Sequence, residues 1–357
     1  MRKAKIVATL GPSTDSNEML EKLILAGVNV MRFNFSHGTH EYHKELLGRV
    51  REVAKKLRKP IATLQDISGP KIRIGIVEKP IELKFGGALN FYKTEGFEDA
   101  NGVTLSYPEI IDSLQVGEFI YLADGLIRVQ VTELSSEFAK CKVIVGGMLT
   151  SKKGVNFPDS ALTISAITEK DKADVKLGVE LGFDWMAFSF MRTAEDLRDA
   201  KKLIKAAGGN TPVMVKIEKA QALTNLEEIL DEVDAVMVAR GDLGVELGLY
   251  KVPPAQKRII HEANIRGLPV VTATQMMTSM IHSPFPTRAE VSDVANAVLD
   301  GTDAVMLSDE TTIGEFPVEA IEALNSAIIE AETIYPYYLH IEEYHFSADA
   351  TSVAAAR

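Results

Sequence analysis

The sequence predicts an α/β protein: a closed (β/α)8 barrel of the TIM type with a small all-β domain inserted after its third strand. Three observations lead there. Eight short apolar, Val-rich runs alternate with segments whose apolar residues recur at helical spacing. One long stretch, residues 71–157, shows no helical periodicity at all. Charged and polar residues recur at one place, the C-terminal ends of the apolar runs, where barrels of this class gather their chemistry. A length of 357 residues suits such a barrel with an insertion.

The strands read in order as Lys5–Thr9, Val28–Phe35, Ile61–Asp66, Trp185–Phe190, Val213–Glu218, Ala235–Ala239, Pro269–Ala273 and Ala304–Leu307. They are near-continuous apolar runs, as strands buried on both faces must be. The helices read as Asn17–Ala26, His40–Leu57, Glu169–Leu181, Ala194–Ala207, Leu226–Glu232, Pro254–Arg266, Thr287–Leu299 and Val318–Thr333. Gly27, Gly182, Gly208 and Gly267 follow four of them, where a left-handed C-cap is needed. Within the insertion, Phe119–Leu122, Ile127–Val131 and Lys142–Val145 alternate apolar and polar residues between Gly and Asp turns. Gly69-Pro70 and Asn156-Phe157-Pro158 flank it as hinges, and a domain at the mouth of a barrel is a natural lid. The expected organisation is barrel over 1–70, lid over 71–157, barrel again over 158–340, and the start of a further unit over 341–357.

The formal net charge of −11 argues against nucleic acid as a partner, since phosphate backbones select basic surfaces. No apolar run reaches the ~18 residues of a membrane span. The N-terminus lacks a signal-peptide core. The lone cysteine, Cys141, cannot pair internally and alternates as a strand residue, which fits a structural role in a reducing, cytoplasmic setting.

Lys216 and Glu218 lie two apart on one strand and so point the same way; Asp242 follows the next strand at the equivalent end. Two hard oxygen donors suit Mg²⁺ or Mn²⁺, and the lysine would face a phosphate or a developing enolate. Gly241 and Asp242 open the turn into a helix, where backbone amides bind a carboxylate. The competing reading is a buried ion pair between Lys216 and Glu218. In Met31–Gly38, Arg32, Asn34 and Ser36 alternate with Phe33 and Phe35, so three polar side chains share one strand face and need partners such as a phosphate or a cation. Asp66–Arg73 couples a strand-end carboxylate to a Gly-Pro turn and two cations, Lys71 and Arg73; alone it also reads as a charged surface turn. Thr274 places a hydroxyl at the end of strand seven, while Met276 and Met277 read as core. Ser308 ends strand eight and reads either as part of a proton relay or, more simply, as a helix N-cap. The histidines show no metal-ligand spacing; His37 lies in the strand-two motif, and the others read as surface or caps.

Taken together, these motifs resemble pyruvate kinase from Met1 to about Tyr335. The matching stretches are Met31–Gly38, Gly69–Arg73, Lys153–Asn156, Val215–Glu218, Ala239–Gly244 and Ala273–Met276. The resemblance implies the glycolytic transfer of a phosphoryl group from phosphoenolpyruvate to ADP, giving ATP and pyruvate. It implies Mg²⁺ (or Mn²⁺) on Glu218 and Asp242, and Lys216 on the phosphoryl group in flight. Gly241, Asp242 and Thr274 would hold the substrate carboxylate, with Thr274 and Ser308 near the path of enolate protonation. Arg32, Arg73 and Lys153 would be phosphate contacts, and Asn34 and His37 would lie on the nucleotide side. Asn34, Ser36, Asp66 and Ile67 would outline a monovalent-cation pocket. The inserted domain would be the family's mobile lid, and the barrel surfaces would carry a homo-oligomer contact.

Three departures from the family pattern stand out. Lys71 occupies a position that is acidic in potassium-dependent members, so its ammonium is expected to supply the charge of the monovalent cation and K⁺ is expected not to be required. Asp309 stands where the family usually has glycine. The resemblance stops where a C-terminal regulatory domain would begin, so no activation by fructose 1,6-bisphosphate through that domain is expected. Two other readings compete. One is another Mg²⁺-dependent barrel acting on phosphoenolpyruvate or an enolate, such as a lyase or aldolase. The other is a shortened homologue that is weakly active or non-catalytic.

Overall fold

The computed structural model describes residues 2–160 and 164–335; the expected unit at 341–357 lies outside the described residues. The barrel opens with β1 (Lys5–Thr9), α1 (Asn17–Ala26), β2 (Val30–Asn34), α2 (His40–Leu57) and β3 (Ala62–Ile67). The insertion carries β4 (Ile81–Leu83), β5 (Ala88–Tyr92), β6 (Gly102–Thr104), a 3₁₀ turn at Pro108–Ser113, β7 (Phe119–Leu122), β8 (Ile127–Leu134), β9 (Phe138–Val145), β10 (Gly147–Leu149) and β11 (Val155–Asn156). The barrel resumes with α3 (Glu169–Leu181), β12 (Trp185–Phe188), α4 (Ala194–Ala206) and β13 (Val213–Ile217). There follow α5 (Ala220–Thr224), α6 (Leu226–Leu230), β14 (Ala235–Ala239), α7 (Arg240–Leu247) and α8 (Val252–Ile265). It closes through β15 (Val270–Ala273), α9 (Arg288–Leu299), β16 (Ala304–Leu307), α10 (Asp309–Thr312) and α11 (Pro317–Glu332).

The eight barrel strands close in the order β1-β16-β15-β14-β13-β12-β3-β2, every neighbouring pair parallel. Strand parity explains the layering. On β1, Ile6 and Ala8 join the core under the helices, and Val7 joins the plug inside the barrel. On β13, Val213, Val215 and Ile217 face the helices while Met214 faces inward. The inner plug is completed by Leu64, Ala187, Ala235, Met237, Val271, Ala273, Ala304 and Met306. This filled interior means that inward positions one step further along each strand emerge at the barrel mouth.

Helix ends follow local chemistry. Thr168, Thr193 and Thr287 each cap a helix in a reciprocal box with Asp171, Asp196 and Glu290. Three short helices are read incompletely from sequence: the starts of α7 and α10 are marked at Gly241 and Ser308, but their extents and the whole of α5 are not. α7 carries Gly241 and Gly244 in only eight residues, and α5 and α10 are shorter still, too brief for periodicity to register.

The insertion forms a six-stranded sheet, β11-β7-β8-β9-β5-β6, plus a separate β10-β4 ribbon, around its own core of Leu89, Phe91, Ile120, Val129 and Val143. Both of its connections are fastened to the barrel. Asp171, fully buried in the first turn of α3, accepts the Gly69 amide and the Ser68 hydroxyl, both at 3.2 Å. On the far side of the cleft, Asn156 donates to Glu246 at 2.9 Å, and Lys219 donates to the same oxygen at 2.7 Å. Cys141 sits buried in β9, and burial alone pushes its thiol up to about 12. No helix among the described residues is long and apolar enough to cross a membrane.

Candidate active site

The parity that builds the plug also builds the site. On five strands the residue two beyond an inward apolar side chain is polar: Val7 is followed by Thr9, Leu64 by Asp66, Ala187 by Ser189, Met214 by Lys216, and Met306 by Ser308. Arg32 takes the same inward face on β2, opposite the helix-facing Met31 and Phe33.

All but Ser308 meet in one cluster. Arg32 Nε donates to Asp66 Oδ2 at 2.7 Å and its Nη1 to Thr9 Oγ1 at 2.9 Å. Lys216 Nζ lies 3.4 Å from Asp66 Oδ1, 3.5 Å from Glu218 Oε2 and 2.7 Å from Ser189 Oγ. The ion pair considered as the alternative therefore exists, but as one edge of a larger cluster. Burial works against the Asp66 carboxylate, yet Lys216 and Arg32 hold it below the usual carboxylate range. Burial likewise works against the Lys216 ammonium, and Asp66 and then Glu218 hold it above its ordinary value.

Glu218 is the outlier. Burial pushes its carboxyl up to about 7; Lys216 opposes the rise and Asp242 reinforces it. Lys216 is shared with Asp66, so Glu218 is left under-compensated. Its Oε1 accepts the Phe190 amide at 2.5 Å, while its buried Oε2 has no hydrogen-bond partner among the described residues. A fully buried carboxylate with an orphan oxygen, next to a second carboxylate, fits a hard divalent cation that keeps waters and recruits further oxygens. Among the described residues no cluster of three or more His, Cys, Asp and Glu ligands forms. The candidate donors are the pair Glu218 and Asp242.

Thr274 reaches the mouth by another route. Its position would face the helices on a regular strand, but Thr274 and Gln275 are both left-handed, with φ of 70° and 54°. The turned Thr274 Oγ1 accepts the Gly241 amide at 2.8 Å and donates to the Ala273 carbonyl at 2.6 Å. The Gly241 amide expected to be free at the start of α7 is thus already engaged.

Other expected residues are dispersed. Asn34 Oδ1 accepts the Ser36 amide within its own turn, and Ser36 and His37 are exposed. Ser308 takes the N-cap position of α10 that strand-end reading favoured, but its side chain makes no capping bond, and its amide donates to buried Glu310 at 2.7 Å. His43, expected at the surface, is buried, stacked on Phe35 at 4.0 Å, with Nε2 2.8 Å from the His37 carbonyl. Asp309 is the exposed first residue of α10.

Arg73 Nη1 donates to the Lys152 carbonyl, and Lys153 is exposed on the lid rim. Lys71 does not reach the Asn34–Asp66 pocket. It lines a cleft between the inserted domain and the barrel, with Pro70, Asn156, Arg192, Lys219 and Asp242 around it. Among the described residues its ammonium forms no ion pair, and Asp66 takes its cations from Arg32 and Lys216 instead.

Sequence reading missed Thr9, Ser189, Phe190, Arg240, Asp171 and Glu310. Ser189 had a signal, since Phe188-Ser189-Phe190 repeats the polar-between-aromatics pattern of Phe33-Asn34-Phe35. Arg240 shows the charge that ends its apolar run, but nothing local tells its role: its guanidinium closes on the carbonyls of Ala273 and Thr274 from another strand end.

The comparisons with known proteins agree with this geometry. Residues 1–321 match the family described as pyruvate kinase, barrel domain. The chain is 48% identical over 344 residues to pyruvate kinase 2 of Synechocystis and 45% identical over 342 residues to a pyruvate kinase of Staphylococcus aureus. Each match covers 94% of this chain but 58% of the relative, so the chain spans little more than half the length of the curated relatives it matches. A closed parallel barrel, the cluster at its mouth and these likenesses together establish that the chain belongs to the pyruvate kinase family.

Proposed function

We propose that this chain carries a phosphoryl-transfer centre that moves the phosphoryl group of phosphoenolpyruvate to ADP, yielding ATP and pyruvate in glycolysis. The observation that carries the reading is Glu218, a fully buried carboxylate with an orphan oxygen, two residues from a nearly buried lysine. Such a pair has little structural value without a bound cation and a phosphoryl group to complete it. Glu218 and Asp242 would hold Mg²⁺ (or Mn²⁺), which would supply Lewis-acid charge to the oxygens gathered there.

The remaining work falls to the chain's own groups. Lys216 presents a fixed positive charge to the phosphoryl group, steadied by Asp66 and Ser189. Arg32, anchored by Asp66 and Thr9, offers its outer guanidinium edge to a phosphate, and Arg73 and Lys153 add charge from the lid. Thr274, with the Gly241 and Asp242 amides, cradles the substrate carboxylate; the Thr274 hydroxyl gives up the Gly241 amide when that carboxylate arrives. A proton reaches the enolate carbon along the Thr274 and Ser308 side of the mouth. Asn34 and His37 contact the nucleotide, and the lid closes over the cleft to exclude water. Lys71 lines that same cleft, outside the Asn34–Asp66 pocket, and its charge beside the phosphate site stands in for that of a monovalent cation, so K⁺ is not required. The enzyme works in the cytoplasm as a homo-oligomer assembled through barrel surfaces.

The test is coupled pyruvate production from phosphoenolpyruvate, ADP and MgCl₂, comparing this chain with Lys216→Met. The variant should lose at least about 100-fold in kcat, the scale of removing one preorganised charge. No rate above the variant would remove the kinase reading. Pyruvate release without ADP would point instead to a lyase- or aldolase-type barrel.

A further inference from the structure

We propose that Ser189 is a positioning residue that aims the Lys216 ammonium, and that it does so because it is neutral. This rests on the phosphoryl-transfer reading of Lys216. Ser189 is 3% exposed, just past the end of β12 on its inward face. Its hydroxyl donates to the Ile67 carbonyl on β3 at 2.8 Å and accepts from Lys216 Nζ at 2.7 Å. A serine hydroxyl has one proton to give. With that proton committed to β3, its lone pairs face the ammonium, and the direction of the bond is fixed by two strands at once.

The carboxylates around Lys216 cannot do this alone. Asp66 lies at 3.4 Å and Glu218 at 3.5 Å, two nearly equivalent seats on either side of a flexible four-carbon stem. The shortest contact the ammonium makes is to the uncharged oxygen between them. A third carboxylate there would also direct the lysine, but it would cancel the charge that a phosphoryl group must feel. A hydroxyl directs without neutralising.

The backbone supports the placement. Phe190, the next residue, is left-handed at φ 58°, a conformation that costs a non-glycine residue about 1 kcal/mol or more. That turn sends the Phe190 amide to Glu218 Oε1 at 2.5 Å immediately after Ser189 has engaged Lys216. Gly69 makes room for it: a Cβ there would sit 2.9 Å from the Ser189 carbonyl oxygen. One strained two-residue turn therefore grips both members of the Lys216–Glu218 pair.

The test uses Ser189→Ala and Ser189→Thr in the full chain, with three readouts. Ser189→Ala should keep its melting temperature and KM for phosphoenolpyruvate close to the parent and lose about 10- to 100-fold in kcat, the cost of a misplaced catalytic group. Lys216 should also react several-fold faster with trinitrobenzenesulfonate, read by peptide mass spectrometry. Ser189→Thr, which keeps the hydroxyl, should recover most of the kcat and the slow labelling. A kcat within twofold of the parent with unchanged Lys216 labelling would overturn the proposal, as would a loss of activity that only follows a loss of melting temperature. A parent chain inactive with phosphoenolpyruvate and ADP would overturn the kinase reading alone, and the labelling comparison would still decide the role of Ser189.

Discussion

Arg240 Nη2 donates to the Thr274 carbonyl at 2.7 Å, reaching from the first residue of α7 to the turn that ends β15. The same guanidinium donates to the Ala273 carbonyl at 3.2 Å and is held by Asp293 at 2.8 Å. It thereby clamps two consecutive left-handed residues, Thr274 and Gln275, whose strain a regular strand end would release. Without the clamp, the Thr274 hydroxyl would swing back toward the helices and leave the Gly241 amide.

Arg240→Ala should therefore lower the melting temperature by about 3 °C, the effect of roughly 2 kcal/mol in a chain of this size. It should also lower kcat/KM by at least about tenfold, since a small displacement of a substrate-holding group is costly. Arg240→Lys keeps the charge beside Asp293 but loses the planar fork and should fall between the two. A variant with parental kcat/KM would mean that the 274–275 turn holds itself.

Glu218 makes a prediction about the metal-free protein. Its carboxyl has an ordinary value of 4.5 and is held at about 7 in the fold, so between those values the folded state binds more protons than the unfolded one. Its contribution to stability falls as pH rises through that window and stays lost above it. Metal-free Glu218→Gln should melt a few degrees above the parent at pH 8, with the difference shrinking toward pH 5. Added Mg²⁺ should raise the melting temperature of the parent and leave the variant unchanged. An equal difference at pH 5 and pH 8 would show that the carboxylate is not desolvated.

His43 runs the other way. Burial holds its imidazole below the ordinary 6.5, so the unfolded state takes up the proton first as pH falls. Its contribution is complete above about 6.5 and is lost as pH drops toward the folded value. His43→Gln retains an N–H for the His37 carbonyl but cannot titrate. Its melting temperature should decline less steeply than the parent's between pH 7 and pH 5.5; parallel curves would dismiss the linkage.

Cys141 should be silent toward thiol reagents in the folded chain, because burial holds it as a thiol to about pH 12. One equivalent should react with dithiobisnitrobenzoate in guanidinium chloride, and essentially none without it. Rapid reaction of the folded protein would mean that the inserted sheet opens readily.

Dependence on K⁺ separates two accounts of Lys71. With its ammonium in the cleft, initial rates in tetramethylammonium salts should match those in KCl. A stimulation by K⁺ of about tenfold or more would return the charge-supplying role to a bound ion at Asn34, Ser36 and Asp66.

Strand and helix order, and the polar residues at strand ends, were legible in the sequence because period-2 and period-3.6 patterns are local. Lys5–Thr9 and Ala235–Ala239 begin and end where their apolar runs do. Lys216, Glu218 and Asp66 stand out because a charge at the end of a buried apolar run must be paired, hydrogen-bonded or bound to a ligand. Three things needed the folded chain. Thr274 faces the mouth only because a distant arginine holds a left-handed turn, and no pattern within a strand encodes that. Lys216 is shared between Asp66 and Glu218 because strand closure sets β3 and β13 on either side of β12, leaving one carboxylate satisfied and the other short of charge. Lys71 lines the cleft, while Asp66 takes its cations from Arg32 and Lys216, a pairing that exists only where three strand ends converge. Sequence by itself placed Arg32, Asp66, Lys216 and Glu218 at the ends of the barrel strands; tertiary structure turned Thr274 to the mouth and decided which of these groups are paired there, because pairing depends on distances between strands that are far apart in the chain.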